Sequence, residues 1–100
     1  MPIFAVHYTY SDATVAGRDV YRPRHREWLS NLVDQGVVLT TGPYADGSGA
    51  LLLFRAEDAA TLDELLAADP FAQEGLIDAK RFLEWTPVMG AFSAQPAPNP

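Results

Sequence analysis

The chain contains no cysteine. Disulfides, thiolate zinc sites and cysteine nucleophiles are thereby excluded. Positive charge is scarce: 7 Lys and Arg stand against 13 Asp and Glu, for a net charge of −6. Such a chain has no basic stripe to neutralise phosphates and is repelled by an anionic membrane surface, so neither nucleic acid nor membrane is expected as a partner. Long apolar runs are also missing. The longest, residues 50–54, falls far short of the roughly 20 residues of a membrane span. The first residues, MPIFAVHYTY, carry no basic segment and no small-residue cleavage site, so they do not read as a signal peptide, and a cytoplasmic protein is expected. No repeat of solenoid length is visible.

What is present is ordinary globular composition, 48% hydrophobic and 20% charged over 100 residues, which argues for one folded domain rather than disorder. The domain is expected over residues 1–93. Residues 94–100, with three prolines in the last six positions, read as an extended or disordered tail. A chain this short buries a limited core, so self-association would cover more apolar surface.

Residues 2–10 alternate in two sets, Phe4, Val6, Tyr8 and Tyr10 against Ile3, Ala5, His7 and Thr9. Neither set is strongly polar, which predicts a strand covered on both faces. Residues 11–21 are polar, contain Gly17 and read as a loop. A helix is expected from Arg22-Pro23, because proline is tolerated in a first turn; it carries Trp28, Leu29, Leu32 and Val33 and ends at Gly36. Residues 37–41 and 50–54 read as strands joined by a turn at Asp46-Gly47-Ser48-Gly49. Leu62, Leu65 and Leu66 mark a second helix over 57–68, ended by Asp69-Pro70. A short extra turn over 70–75 and a last strand within 76–88, with Phe82 and Trp85 packing inward, complete the chain. The order β-α-β-β-α-β predicts an α+β, ferredoxin-like sandwich with two helices on one face of an antiparallel sheet. The apolar second face then predicts a homodimer with a barrel-like core.

Connectivity gathers loop 11–21, hairpin 42–49 and segment 69–76 at one end of this fold. Arg22, His25, Tyr44 and Asp69 all belong to that end. His25 lies three and four residues before Trp28 and Leu29, and Asp69 extends the stripe of Leu65 and Leu66. Both therefore project inward. A carboxylate that accepts one ring N–H fixes the tautomer of an imidazole and leaves the other nitrogen as a base. The carboxylate favours the imidazolium; burial and a helix N-terminus favour the neutral ring. Arg22 could hold an anionic substrate group, with Tyr8, Tyr10 and Tyr44 as pocket walls.

Blander readings stand beside these. His25 could be a satisfied, half-buried helix residue, Arg22 a surface ion-pair residue, and His7 a sheet residue. Asp69 is a natural N-cap for the turn that follows it; the two roles are compatible if the cap uses one oxygen and His25 the other. His25 and Asp69 are too few to hold zinc, the acidic stretch around Glu57 and Glu64 lacks metal-loop spacing, and the Gly47–Gly49 stretch lacks the lysine-bearing helix of a phosphate loop. No cofactor or metal is implied.

Arg22-Pro23-Arg24-His25, Leu29, Gly36, Gly42-Pro43, Gly49 and Asp69-Pro70-Phe71 with Gly75 resemble the YCII-related (YciI-like) family over residues 2–90. The resemblance implies membership of the dimeric α/β-barrel superfamily and a His–Asp pair at His25 and Asp69. It also implies proton chemistry on small oxygenated rings, of the dehydrochlorinase or lactone-isomerase type. Hairpin 43–49 looks short beside many members. Two functions follow. One is a small lyase or isomerase acting on an anionic or phenolic small molecule, with His25 as base, Asp69 orienting it and Arg22 binding the anion. The other is a non-catalytic dimeric domain that binds a metabolite or serves a partner protein, in which the pair is structural.

Overall fold

The two apolar strands lie side by side at the centre of a four-stranded antiparallel sheet. In the computed structural model, which describes residues 1–93, β1 (Ile3–Thr9) pairs with β3 (Gly49–Arg55) on one side and β4 (Ala79–Trp85) on the other. β2 (Val38–Pro43) completes the order β2-β3-β1-β4. Helices α1 (Val15–Asp34) and α2 (Ala59–Ala67) and the one-turn helix α3 (Pro70–Gln73) account for the remaining regular structure apart from a 3-10 turn at Asp12–Thr14. This is the ferredoxin-like arrangement expected from the order of elements. Residues 94–100, expected as a tail, lie outside the described residues.

Alternation in β1 sorts its side chains as read from the sequence. Phe4, Val6 and Tyr8 are buried beneath the helices, where they meet Leu52 and Phe54 of β3, Leu29 and Leu32 of α1, and Leu62 and Leu66 of α2. Phe82 packs edge-on against Phe4 at 6.2 Å between ring centres. The opposite face carries Ala5, His7, Leu51, Leu53, Leu83 and Trp85, in register across three strands. Trp85 was expected to point inward. Its pairing with Ile3 puts it on this outer face, where it is 40% exposed. Leu83, opposite Ala5, is 58% exposed.

The first helix starts one and a half to two turns earlier than the sequence reading. Residues read as loop form the 3-10 turn and the opening of α1, and Pro23 is an interior residue. Its missing N–H leaves the Asp19 carbonyl without a helical partner, a loss that the exposed side of a long helix passes to water. Gly17, read as a loop marker, is a packing residue: a Cβ there would come within 2.5 Å of Leu76 Cδ2. Gly36, with φ of 76°, ends α1 as expected; the Gly36 and Val37 N–H groups donate to the carbonyls of Val33 and Leu32, as in a Schellman cap. Asp58 caps α2 by accepting from the Thr61 N–H at 2.7 Å.

Candidate active site

Asp69 ends α2 and begins α3. Its backbone is extended ahead of Pro70, as a residue before proline prefers, so its side chain turns back over the first turn of α3. The carboxylate is fully buried, with 0% exposure. Isolated, it would carry a prohibitive desolvation cost; here three donors meet it. The Phe71 N–H donates to Oδ1 at 2.9 Å, the Tyr8 hydroxyl to Oδ2 at 2.8 Å, and His25 Nδ1 to Oδ1 at 2.7 Å. The expected division of labour, one oxygen for the cap and the other for His25, is corrected: both use Oδ1, because Tyr8 reaches Oδ2 from the central strand.

His25 is the eleventh residue of α1, not a first-turn residue. The field of the helix N-terminus fades within a turn and does not reach it. Its ring is held on two sides. Asp69 takes Nδ1, and the Phe71 ring lies parallel to the imidazole at 3.9 Å between centres and 3° between planes. An ionised carboxylate can only accept, so Nδ1 carries a proton, and in the neutral ring Nε2 is the nitrogen with a lone pair. Nε2 makes no hydrogen bond among the described residues, and no side-chain nitrogen or oxygen there is both buried and unpartnered.

His25 faces a cavity of about 340 Å³ bounded by α1, α3, the end of β2 and the β2–β3 hairpin. Its polar wall is formed by Arg18, Arg22, Arg26 and Tyr10, with the Phe71 ring beside them. The volume is at the lower end for small-molecule sites, suited to a one-ring ligand. Arg22 lines the cavity but is bound to Asp19 at 2.6 Å, and its side chain is about a third exposed. Tyr8 is more than a wall, being a hydrogen-bond donor to Asp69. Burial first, then the neighbouring Asp69 charge, push its hydroxyl far above the ordinary tyrosine range, so it stays protonated. The same causes push Tyr10 up to about 12, against the opposing pull of Arg18 and Arg22.

Tyr44 does not line this cavity. Thr40 and Gly42 lie opposite Leu53 and Leu51, and Tyr44 continues that alternation onto the outer sheet face, where its hydroxyl and His7 Nδ1 share a 2.7 Å hydrogen bond. Two residues went unnoticed in the sequence. Arg18 is buried in the cavity wall, and its guanidinium lies 4.3 Å above the centre of the Tyr10 ring. Once α1 is extended to residue 15, Arg18, Arg22, His25 and Leu29 form one helical stripe; that spacing was the available signal. Phe71 was quoted only for its motif, and nothing local reveals that its ring meets a histidine 46 positions earlier. Among the described residues no three His, Asp or Glu side chains converge as a metal site would require.

The YCII-related domain family matches residues 2–86. The chain belongs to that family. Among solved structures, it is similar to the 5-chloro-2-hydroxyhydroquinone dehydrochlorinase of Burkholderia phenoliruptrix AC1100, determined in complex with 2,5-dihydroxybenzoquinone. The TM-score is 0.74 at 21% identity, over 88% of this chain and 95% of that one. At that identity the likeness speaks for the fold, in agreement with the strand order β2-β3-β1-β4. No curated protein matches the sequence. No helix among the described residues is long and apolar enough to cross a membrane.

Proposed function

We propose that this YCII-family chain is a small-molecule enzyme in which His25 moves protons on a one-ring oxygenated substrate. The reaction is elimination of HCl from a chlorinated hydroxyhydroquinone or relocation of a proton in a related isomerisation. The observation that carries this reading is the division of the imidazole: Nδ1 is engaged by a fully buried carboxylate, and Nε2 has no partner among the described residues while the ring lines the cavity. Asp69 orients the ring and stabilises the imidazolium that forms when Nε2 takes a proton. In an elimination Nε2 takes a substrate proton, and the electron pair of the broken bond moves into the ring as new π bonding. The C–Cl bond breaks with its pair leaving as chloride, and the imidazolium returns its proton to solvent, for net loss of HCl. The dehydrochlorinase neighbour, crystallised with a quinone, supports the substrate class.

The test is conversion of a panel of chlorinated and unchlorinated hydroxyhydroquinones and unsaturated lactones. The wild type is expected to turn over at least one, and His25→Ala to lose about 10²–10⁴-fold in kcat. Turnover that persists in folded His25→Ala excludes His25 as the base.

A second reading rests on the same carboxylate. Its three hydrogen bonds tie β1, α1 and α3 together, as a purely structural cluster in a binding or accessory domain would. In that case no member of the panel is converted and His25→Ala costs several kcal/mol of stability. In both readings the apolar outer face of the sheet is covered by a second copy of the chain, giving a homodimer.

A further inference from the structure

We propose that Arg18 is the residue that recognises the ligand's negative charge, and that the cavity takes a planar one-ring anion whose oxygens engage the Arg18 guanidinium. This deepens the proposed function by naming the recognition group at the same cavity, and it holds whether or not His25 is a base.

The argument starts from an unbalanced charge. Arg18 is only 7% exposed. A guanidinium is always charged, and buried charges are ordinarily paired with an opposite one. Its protein partners are neutral: Nη1 donates to Thr14 Oγ1 at 2.8 Å and to the Ser11 carbonyl at 3.3 Å, and the Tyr10 ring lies beneath it. Tyr10 remains a neutral phenol, so it supplies a π face and no countercharge. No carboxylate of the described residues pairs with Arg18. The donors on Nε and Nη2 have no hydrogen-bond partner there, and none of these nitrogens is sealed from the cavity or solvent. The guanidinium is thus fixed on one edge and stacked on one face, with its remaining donors unspent.

The other arginines of the cavity are placed differently. Arg22 is already paired with Asp19, and Arg26 is exposed. A desolvated guanidinium with a free fork favours two adjacent oxygens, as in a carboxylate or an ionised hydroxyquinone. Arg18 precedes His25 by seven residues on the same helical stripe, roughly 10 Å along the axis. A single ring held by its oxygens at Arg18 therefore has its far edge directed along α1 toward the imidazole. With a net charge of −6 the protein repels anions at long range, so selection for an anion has to come from a local, water-poor contact of this kind.

The experiment is calorimetric titration of the full chain with 2,5-dihydroxybenzoquinone, ionised at neutral pH, and with its uncharged 2,5-dimethoxy analogue. The wild type is expected to bind the anion at least tenfold more tightly. Arg18→Gln removes that preference and weakens anion binding tenfold or more, and Arg18→Lys restores only part of it because an ammonium lacks the fork. Arg22→Gln, at an exposed pair, has the smaller effect and keeps the test decisive if Arg18→Gln does not fold. His25→Ala keeps the anion preference whatever it does to turnover, which separates this proposal from the catalytic one. Absence of binding by the wild type, equal affinity for the two quinones, an unchanged preference in Arg18→Gln, or loss of preference in Arg22→Gln overturns it.

Discussion

Asp69 ties three elements together through one buried side chain. It accepts from a strand hydroxyl, a helix imidazole and its own cap N–H, with no exposure to water. Tyr8→Phe removes one of those donors and leaves Oδ2 without it, so a loss of about 1.5–3 kcal/mol is expected, read by urea denaturation. Asp69→Ala strands three donors at once and is expected to cost about 3 kcal/mol or more. The tyrosines give a pH dependence of definite sign. Tyr10 is raised in the folded protein to about 12, and Tyr8 is raised further by burial and Asp69. The folded state thus holds these protons more tightly than the unfolded chain does. Their contribution is complete below the ordinary tyrosine value of about 10 and is lost as pH rises through the folded values. Stability measured between pH 8 and pH 12 is expected to fall only above about pH 10, with absorbance at 295 nm lagging that of free tyrosine.

At the scale of elements, the hairpin and the strand it serves are fitted backbone to backbone. A Cβ at Gly49 would overlap the carbonyl oxygen of Tyr8. Backbone cannot swing aside as a side chain can, so Gly49→Ala is expected to cost about 2–3 kcal/mol by thermal denaturation and to disturb Tyr8 with it. Strand alternation, the stripe of Leu62 and Leu66, and the caps at Gly36 and Asp69 were all readable in the sequence, because each is a short-range pattern with a local physical cause. The start of α1 was not. Gly17 and Pro23 carry the local marks of a helix boundary, yet packing against Leu76 and a long helix overrode both. That one displacement hid Arg18 and wrongly placed His25 next to a helix terminus. The His25–Asp69 pair was legible because both residues continue apolar stripes. The Tyr8 hydroxyl bond and the Phe71 stack were not, since each depends on how distant elements settle against one another. Trp85 and Tyr44 went astray for a smaller reason: the strand period was known but its phase was not.

At the scale of the whole molecule, the two sides of the sheet are unlike. One is closed by helices; the other presents Ala5, Leu51, Leu83 and Trp85 around a buried Leu53. The proposed homodimer would cover this apolar face, and on that proposal light scattering is expected to give twice the chain mass of 10.9 kDa. Leu83→Glu, at a residue that is 58% exposed in the isolated chain, is expected to raise the dimer dissociation constant at least tenfold without unfolding the chain; an unchanged constant would place the contact elsewhere. The chain has two tryptophans, and they divide between these sides. Trp28 lies 6.4 Å from the His25 ring and 6.1 Å from Phe54, next to the cavity wall. Trp85 stands on the open face. The molecule therefore carries one indole fluorophore for each surface. With Trp85→Phe, emission follows occupancy beside His25; with Trp28→Phe, a blue shift on concentration follows burial of the sheet. Ligand binding and self-association can in this way be watched separately, in one protein and without an attached dye.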